Sequence, residues 1–302
     1  MSVLPALREA LSAGHPAILV TVERALGSTP REAGASMLVT GGGIAGTVGG
    51  GALEMEAILE ARRMLADGIE ASALDIPLGP AIGQCCGGQV VLSLWRADAA
   101  LLRHLEAKAR TEADARPKIL VFGAGHTGQA LARALQPLPF RLTIVDTRPE
   151  RLAELPPELA RIATPLPEAE IDTAPAGSAF LVLTHDHALD FLLAARALER
   201  GDAAYVGMIG SATKREKFRR HLVETHSRAS IDDLTLPIGG AGVRDKRPAV
   251  IAALTVAELV TRFAALENAA SGFAREQLRC NKRSSDEELR PVREAERHAA
   301  TS

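Results

Sequence analysis

The chain has 302 residues, enough for about two domains, and its 47% hydrophobic and 24% charged residues are typical of a globular protein. Only 3% of the residues are aromatic and the formal net charge is −2, which argues against base stacking and against a basic surface for nucleic acid or anionic lipid. The sequence contains no apolar run of about 18 residues, and residues 1–13 lack the apolar core of a signal peptide. We therefore expect a cytoplasmic protein with no membrane or nucleic-acid partner, and its three cysteines, which have no framework spacing, fit a reducing compartment.

Residues 1–97 predict a small α+β domain. Apolar patterning predicts the following helices and strands: helices at 4–11 and 53–65, and strands at 15–22, 36–40, 75–78 and 89–95. Two loops carry glycine and small polar residues, Gly-Ser-Thr-Pro-Arg at 27–31 and Gly-Thr-Val-Gly-Gly-Gly at 46–51. Backbone amides in such loops can bind an anion, and Arg31 adds a cation; ordinary hairpin turns are the alternative.

Residues 83–88, Gly-Gln-Cys-Cys-Gly-Gly, contain two of the three cysteines side by side. Adjacent cysteines seldom pair with each other, because a disulfide needs Cα atoms about 4.4–6.8 Å apart on an unstrained backbone. Gly87 and Gly88 remove bulk, so a large ligand or a second protein can reach the sulfur atoms. The alternative is a tight turn with one cysteine packed inward and the other idle. Cys280, in the charged tail, receives no role.

Residues 98–116 predict a helix, at 99–110, and then a polar connector. From 117 to 272, apolar strands alternate with amphipathic helices, which predicts a Rossmann-like domain with a parallel sheet covered on both faces. The predicted elements are strands at 119–122, 141–146, 180–183 and 204–208, and helices at 129–135, 189–198, 213–222 and 248–265. The charged residues 273–302 predict a disordered tail.

Gly123-Ala-Gly125-His126-Thr-Gly128 follows the first of these strands and opens a helix, as dinucleotide-binding loops do. Gly123 would permit the tight turn, Gly125 would let a pyrophosphate approach, and Gly128 would allow the helix to pack on the strand. Asp146, 23 residues after Gly123, is at the usual spacing of a ribose-binding acid.

Two features of this loop leave NAD binding open. His126 adds bulk where a pyrophosphate would lie, and Arg148 could meet a phosphate instead. A scaffold for another phosphorylated compound, or for no ligand, is the alternative.

Other polar groups follow later strands, at the edge where open α/β sheets bind ligands. His185 and His187 could ligate a metal, contact a ligand or cap a loop. Ser211 could cap the helix that carries the basic run 214–220, and the N-terminal amides of this helix could bind an anion. The alternative is that the basic side chains of the run face solvent. Glycines precede basic residues at 207–211 and again at 239–240, and together with the glycine loop at 123–128 these three junctions favour an anionic ligand.

The motifs at 27–31, 46–51 with Glu54, 83–88, 123–128, 184–187 and 205–211 occur in an order that closely resembles the xanthine dehydrogenase accessory protein family, XdhC, related to CoxI and CoxF. The resemblance covers about residues 1–265. It implies a maturation chaperone rather than an enzyme, with an N-terminal domain, a Rossmann domain and a homodimeric state.

The same resemblance implies a cargo and partners. The chaperone would hold molybdenum cofactor, molybdopterin, while a cysteine desulfurase adds the terminal sulfido ligand, and would deliver it to apo-xanthine dehydrogenase. Further partners would be the proteins that supply the cofactor, and NAD(P) or another nucleotide would be a second ligand of the Rossmann domain. The alternatives are an NAD(P)-dependent oxidoreductase and a sulfurtransferase that carries a persulfide on Cys85 or Cys86.

Relatives with one cysteine in the turn keep it directly before Gly-Gly, so the resemblance ranks Cys86 above Cys85 as the ligand of molybdenum. Thiolate is a soft donor suited to such a metal. No catalytic residue is assigned. The expected cofactor-binding residues are Arg31, Gly50, Gln84, Cys85, Cys86, Gly87, Gly123, Gly125, His126, Gly128, Asp146, His185, His187 and Ser211.

Overall fold

A computed structural model describes residues 3–78, 88–240, 242–243 and 245–269, and the chain divides into two compact units, Met1–Glu112 and Ala113–Ser302. The predicted cysteine turn, apart from Gly88, lies outside the described residues. The same is true of Cys280 and of the predicted disordered tail at 273–302.

Unit 1 contains a five-stranded antiparallel sheet of order β3-β2-β1-β5-β4. Its elements are α1 Val3–Ser12, β1 Ala17–Leu26, β2 Ser36–Thr40, β3 Ile44–Gly46, α2 Gly51–Asp67, β4 Ala71–Pro77, β5 Gln89–Arg96 and α3 Ala99–Ala115, which runs past the end of the unit. Side chains on β1 alternate between two cores, as the period of two in a strand requires. Ile18 and Val20 pack with Met64 of α2, whereas Leu19 packs with Leu7 of α1.

Unit 2 contains a six-stranded parallel sheet of order β11-β10-β9-β6-β7-β8. Its elements are β6 Lys118–Phe122, α4 His126–Leu135, β7 Arg141–Asp146, α5 Pro149–Ala153, β8 Ala160–Ala163, α6 Glu168–Asp172, β9 Ala179–Val182, α7 His187–Glu199, β10 Tyr205–Met208, α8 Ala212–Glu224, a 3₁₀ turn Ile231–Asp233, β11 Leu234–Thr235 and α9 Pro248–Ala269. Ile119 and Val121 of β6 enter one core, and Leu120 and Phe122 enter the other. Both faces of the sheet are therefore covered, which explains why its central strands are wholly apolar.

The predicted polar connector at 111–116 is wrong, because α3 continues to Ala115. Residues 111–115 contain no glycine or proline, and Thr111 Oγ1 donates to Ala107 O at 3.1 Å within the helix. The helix ends before Pro117, whose ring disfavours helical backbone in the residue before it. The short elements α5, β8, α6 and β11 were too brief to give a periodic signal.

Helix α9 is long and apolar enough, by length and composition alone, to cross a membrane, whereas the sequence predicted no such span. In this structure α9 contributes Ala252, Leu259 and Phe263 to one core of unit 2. Its Glu258 accepts from Tyr205 Oη at 2.7 Å, and its Arg262 donates to Ala204 O at 2.8 Å. These contacts are those of a helix that packs against a sheet.

Candidate functional site

Three sequence motifs of unit 1 meet at one end of its sheet. A Cβ atom placed on Gly49 would lie 2.6 Å from Pro30 Cγ, so the loops at 46–51 and 27–31 touch. A Cβ atom placed on Gly88 would lie 2.5 Å from Ser28 O. Only glycine allows these two close approaches. The second brings Gly88, the last residue of the cysteine motif at 83–88, against the loop at 27–31.

The residues that flank the cysteine segment, 79–87, are Leu78 and Gly88, and Gly88 lies beside the loop at 27–31. The Leu78 amide donates to Gly88 O at 2.7 Å, so the two residues that flank the segment 79–87 are hydrogen-bonded neighbours. Strand pairing continues to this point, with Pro77 opposite Gln89 on β5 and Leu26 of β1 opposite Gln89 on the other side. The expected ligands Gln84, Cys85, Cys86 and Gly87 themselves lie outside the described residues.

The glycine loop at 46–51 holds one of the protein's own carboxylates. Glu54 Oε2 accepts hydrogen bonds from Thr47 Oγ1 at 2.5 Å, from the Gly50 amide at 3.1 Å and from the Val48 amide at 3.3 Å. Glu54 lies in the first turn of α2, where the helix dipole also favours a negative charge. The Gly50 amide, which the sequence predicts could bind an anion, is therefore already bonded to Glu54.

The other described residues that were expected to contact a ligand in unit 1 are Arg31, which is exposed, and Gly50, which is half-buried. Arg31 lies on the surface of its loop, where Thr29 Oγ1 donates to Arg31 O at 3.1 Å. Gly50 has a φ of 73°, and among the described residues no heavy atom lies within 4 Å of an added Cβ. Its amide is engaged by Glu54, whereas the described residues leave its α-carbon open.

In unit 2, two of the three motif glycines are required by packing. An added Cβ on Gly128 would overlap Gly123 O, and one on Gly123 would overlap Leu183 O. Gly125 differs, because its φ is −71° and an added Cβ would meet no atom of the described residues within 4 Å. Packing within the described part of the chain does not require glycine at 125, which agrees with a role in ligand approach.

Asp146 is 5% exposed, and every acceptor position that it presents is used within the chain. Its Oδ2 accepts from the Ala124 amide at 2.7 Å and from Arg148 Nη2 at 3.1 Å. Its Oδ1 accepts from the Arg148 amide and from Arg148 Nε, both at 3.0 Å. Burial raises the pKa of Asp146, but the hydrogen bonds from Arg148 and Ala124 outweigh it and hold the pKa below its ordinary value.

The three expected histidines lie on the surface. His126 begins α4, and His185 and His187 flank Asp186 before α7. Asp186 Oδ1, rather than a histidine, caps α7, by accepting from the Ala188 amide at 2.7 Å. Within the described residues there is no group of three or more His, Cys, Asp or Glu that could hold a metal ion.

The basic run at 214–220 is not a uniformly solvated face. Lys214 Nζ is buried and donates to Asp190 Oδ2 at 2.5 Å and to Ile209 O at 3.0 Å. Asp190 is 1% exposed, and its Oδ1 accepts from the Thr184 amide at 2.9 Å and from Thr184 Oγ1 at 2.7 Å. This network joins the loop after β9 to α8, whose first turn is capped by Ser211 as predicted.

The Asp190–Lys214 pair was not predicted, although the position of Asp190 in the sequence indicates a buried carboxylate. Asp190 precedes Leu193, Ala194 and Ala197 at the spacing of one helix face, and all three are buried. A carboxylate on the buried face of a helix needs a cation or several donors, because an unpaired buried charge is costly.

The glycines at 207, 210 and 239 serve packing and internal hydrogen bonds. An added Cβ on Gly207 would lie 2.5 Å from Tyr205 Cε1, and one on Gly210 would lie 2.7 Å from Lys214 Cδ. The Gly239 amide donates to Glu258 Oε2 at 3.2 Å. An anion at this third junction would have to compete with the Glu258 carboxylate.

Replacing Glu54 with alanine should destabilise unit 1 by about 1–3 kcal/mol, because the amides of Val48 and Gly50 lose their acceptor. Glu56→Ala, on the exposed side of the same helix, is the matched control and should change stability by about 0.5 kcal/mol or less. Urea unfolding followed by circular dichroism measures both. Equal effects of the two substitutions would contradict the role given to Glu54.

Gly128→Ala should lower the unfolding free energy by about 3 kcal/mol or more, since the new methyl group meets backbone that cannot move aside. Gly125→Ala should leave it unchanged within about 1 kcal/mol. Thermal melts of the two variants beside the unsubstituted protein decide the point, and a large loss in Gly125→Ala would show that packing requires this glycine as well.

Lys214→Ala should cost about 3–5 kcal/mol, because it leaves the Asp190 carboxylate buried without its cation. Lys217→Ala removes an exposed cation from the same helix and should be nearly neutral. The midpoints of denaturant unfolding compare the stabilities of the two variants. If Lys214→Ala is as stable as Lys217→Ala, the Asp190–Lys214 pair does not support the fold.

Both units match models of known families. The model described as the XdhC and CoxI family matches residues 10–75, and the model described as the XdhC Rossmann domain matches residues 119–259. The chain is 26% identical over 260 residues to the protein described as "Uncharacterized protein YqeB" of Escherichia coli (strain K12). That match covers 81% of this chain and 43% of the E. coli protein, so the chain spans less than half of that relative's length.

A crystal structure described as that of a xanthine dehydrogenase from Bacillus halodurans has the same fold. It superimposes with a TM-score of 0.69 over 88% of this chain and 96% of that one, at 18% sequence identity. The two family models, one on each unit, account for the ordered motifs seen in the sequence. The chain belongs to the XdhC family.

Proposed function

We propose that this protein binds molybdenum cofactor, holds it during sulfuration and delivers it to apo-xanthine dehydrogenase. Membership in the XdhC family indicates an accessory role in the maturation of xanthine dehydrogenase. The cofactor as cargo, its sulfuration by a cysteine desulfurase, its transfer from supply proteins and a homodimeric, cytoplasmic chaperone are the finer parts of the proposal.

The observation that carries the proposal is the meeting of three motifs at one end of unit 1. The contacts of Gly49 with Pro30 and of Gly88 with Ser28 bring together the two loops and the end of the cysteine segment. Molybdenum cofactor presents a metal with sulfur ligands and a phosphate group. A soft thiolate and an exposed guanidinium, on Arg31, suit these two parts.

Each residue then has a binding task. The Cys86 thiolate ligates the molybdenum of the cargo, Cys85 and Gln84 supply neighbouring contacts, and Arg31 meets the phosphate. Glu54 acts indirectly, because it holds the glycine loop in the conformation that contacts Pro30. The protein holds and hands over its cargo, so it needs no catalytic residue.

A sulfurtransferase would use the same cysteines differently, since it would carry the sulfur on Cys85 or Cys86 as a persulfide. Mass spectrometry of the protein after incubation with a cysteine desulfurase and cysteine separates the two functions. A gain of sulfur mass on Cys85 or Cys86 in the absence of cargo would favour the sulfurtransferase, because the desulfurase persulfide has then passed its outer sulfur to that thiolate.

After incubation with molybdenum cofactor, the purified protein should retain near-stoichiometric molybdenum and pterin, and Cys86→Ala should bind at least about tenfold less. Elemental analysis and pterin fluorescence measure the two components. Cys280→Ala is the matched control and should bind as the unsubstituted protein does. Circular dichroism must show that all variants are folded.

Two results would count against the proposal. Absence of binding by the folded, unsubstituted protein would overturn the cargo itself. Unchanged binding by Cys86→Ala would overturn the assignment of the metal ligand, and Cys85→Ala would then be the variant to compare.

A further inference from the structure

In this structure, the residue of the Rossmann domain that would bind the ribose of a dinucleotide is already bonded within the chain. In dinucleotide-binding domains, the acid at the end of the second strand accepts hydrogen bonds from the ribose hydroxyls. Asp146 is at that position at the end of β7. Its two oxygens accept four hydrogen bonds from the chain, three from Arg148 and one from the Ala124 amide.

A carboxylate has about four lone-pair sites for hydrogen bonds, so Asp146 has none left for a ribose. Burial strengthens this occupation, because both oxygens are removed from water and their donors are charged or backbone groups. A ribose hydroxyl is a neutral donor and would replace a charged guanidinium only at a cost in affinity.

The space around Asp146 leads to the same conclusion. The cavity between the ends of β6, β7 and β9 has a volume of only about 10 Å³ and is lined by Gly123, Asp146, Thr147, Pro167 and His185 among others. This volume is close to the minimum that holds one water molecule. For Asp146 to accept hydrogen bonds from a ribose, the Arg148 side chain must first leave its two oxygens.

Local backbone structure fixes Arg148 in place. Its amide donates to the same carboxylate as its side chain does, and the next residue, Pro149, begins α5 with a restricted φ. The turn therefore presents the guanidinium to Asp146 before any ligand arrives.

We propose that the Arg148 side chain, by occupying the Asp146 carboxylate, prevents the Rossmann domain from binding the adenosine ribose of NAD and NADP. The domain then serves the protein as a scaffold or takes a ligand without an adenosine ribose. This inference concerns unit 2 alone, so it stands or fails independently of cargo binding at the cysteines of unit 1.

The test is titration with NADH and NADPH by calorimetry, using the full chain. The unsubstituted protein should show no saturation at millimolar nucleotide, whereas Arg148→Ala should bind NADH at least about tenfold more tightly, because Asp146 regains free acceptor sites. Arg151→Ala, which removes an exposed cation from α5, is the matched control and should behave as the unsubstituted protein. Asp146→Asn combined with Arg148→Ala should lose the gain.

Arg148→Gln provides a second variant if Arg148→Ala does not fold, since it keeps much of the side chain and removes the charge. Micromolar binding of NADH or NADPH by the unsubstituted protein would overturn the proposal that Arg148 prevents nucleotide binding. Folded Arg148→Ala or Arg148→Gln without any gain in affinity would overturn it too, as would a gain that survives Asp146→Asn.

Discussion

Glycine-rich loops in this protein are held by the protein's own carboxylates. Glu54, Asp146 and Glu258 each accept hydrogen bonds from backbone amides of a different glycine loop. Glycine loses more conformational entropy on ordering than other residues do, and backbone donors need partners, so these hydrogen bonds offset part of the cost of ordering the loops. The carboxylates give these loops one conformation each, and the contacts that bring the motifs of unit 1 together depend on it.

The two units combine glycine loops with different surroundings. In unit 1, the loop held by Glu54 contacts Pro30, and Gly88 contacts Ser28 of the same loop at 27–31. In unit 2, the acid of the dinucleotide motif is paired and the surrounding cavity is nearly filled. The Rossmann fold of unit 2 therefore does not by itself imply hydride transfer.

Much of the fold could be predicted from the sequence, because helices and strands leave local periodic signals. The apolar strand at 118–122, its glycine loop and the cap at Ser211 are such cases. The occupation of the loop amides could not be predicted, since Asp146 and Glu258 reach them from 22 and 19 residues away along the chain. The same holds for Lys214, which looked like one cation of a solvated run until the fold placed it beside Asp190.

The Asp146–Arg148 pair also links the stability of unit 2 to acidity. An unfolded aspartate titrates near pH 3.9, and in the folded protein the hydrogen bonds from Arg148 and Ala124 hold the pKa of Asp146 below its ordinary value. The folded state therefore binds the proton on Asp146 at a lower pH than the unfolded state does. The pair's contribution to stability is complete above about pH 4 and declines as the pH falls through the folded-state pKa. Near neutral pH the junction of β6 and β7 is thus insensitive to protonation of Asp146, and only strong acid loosens it.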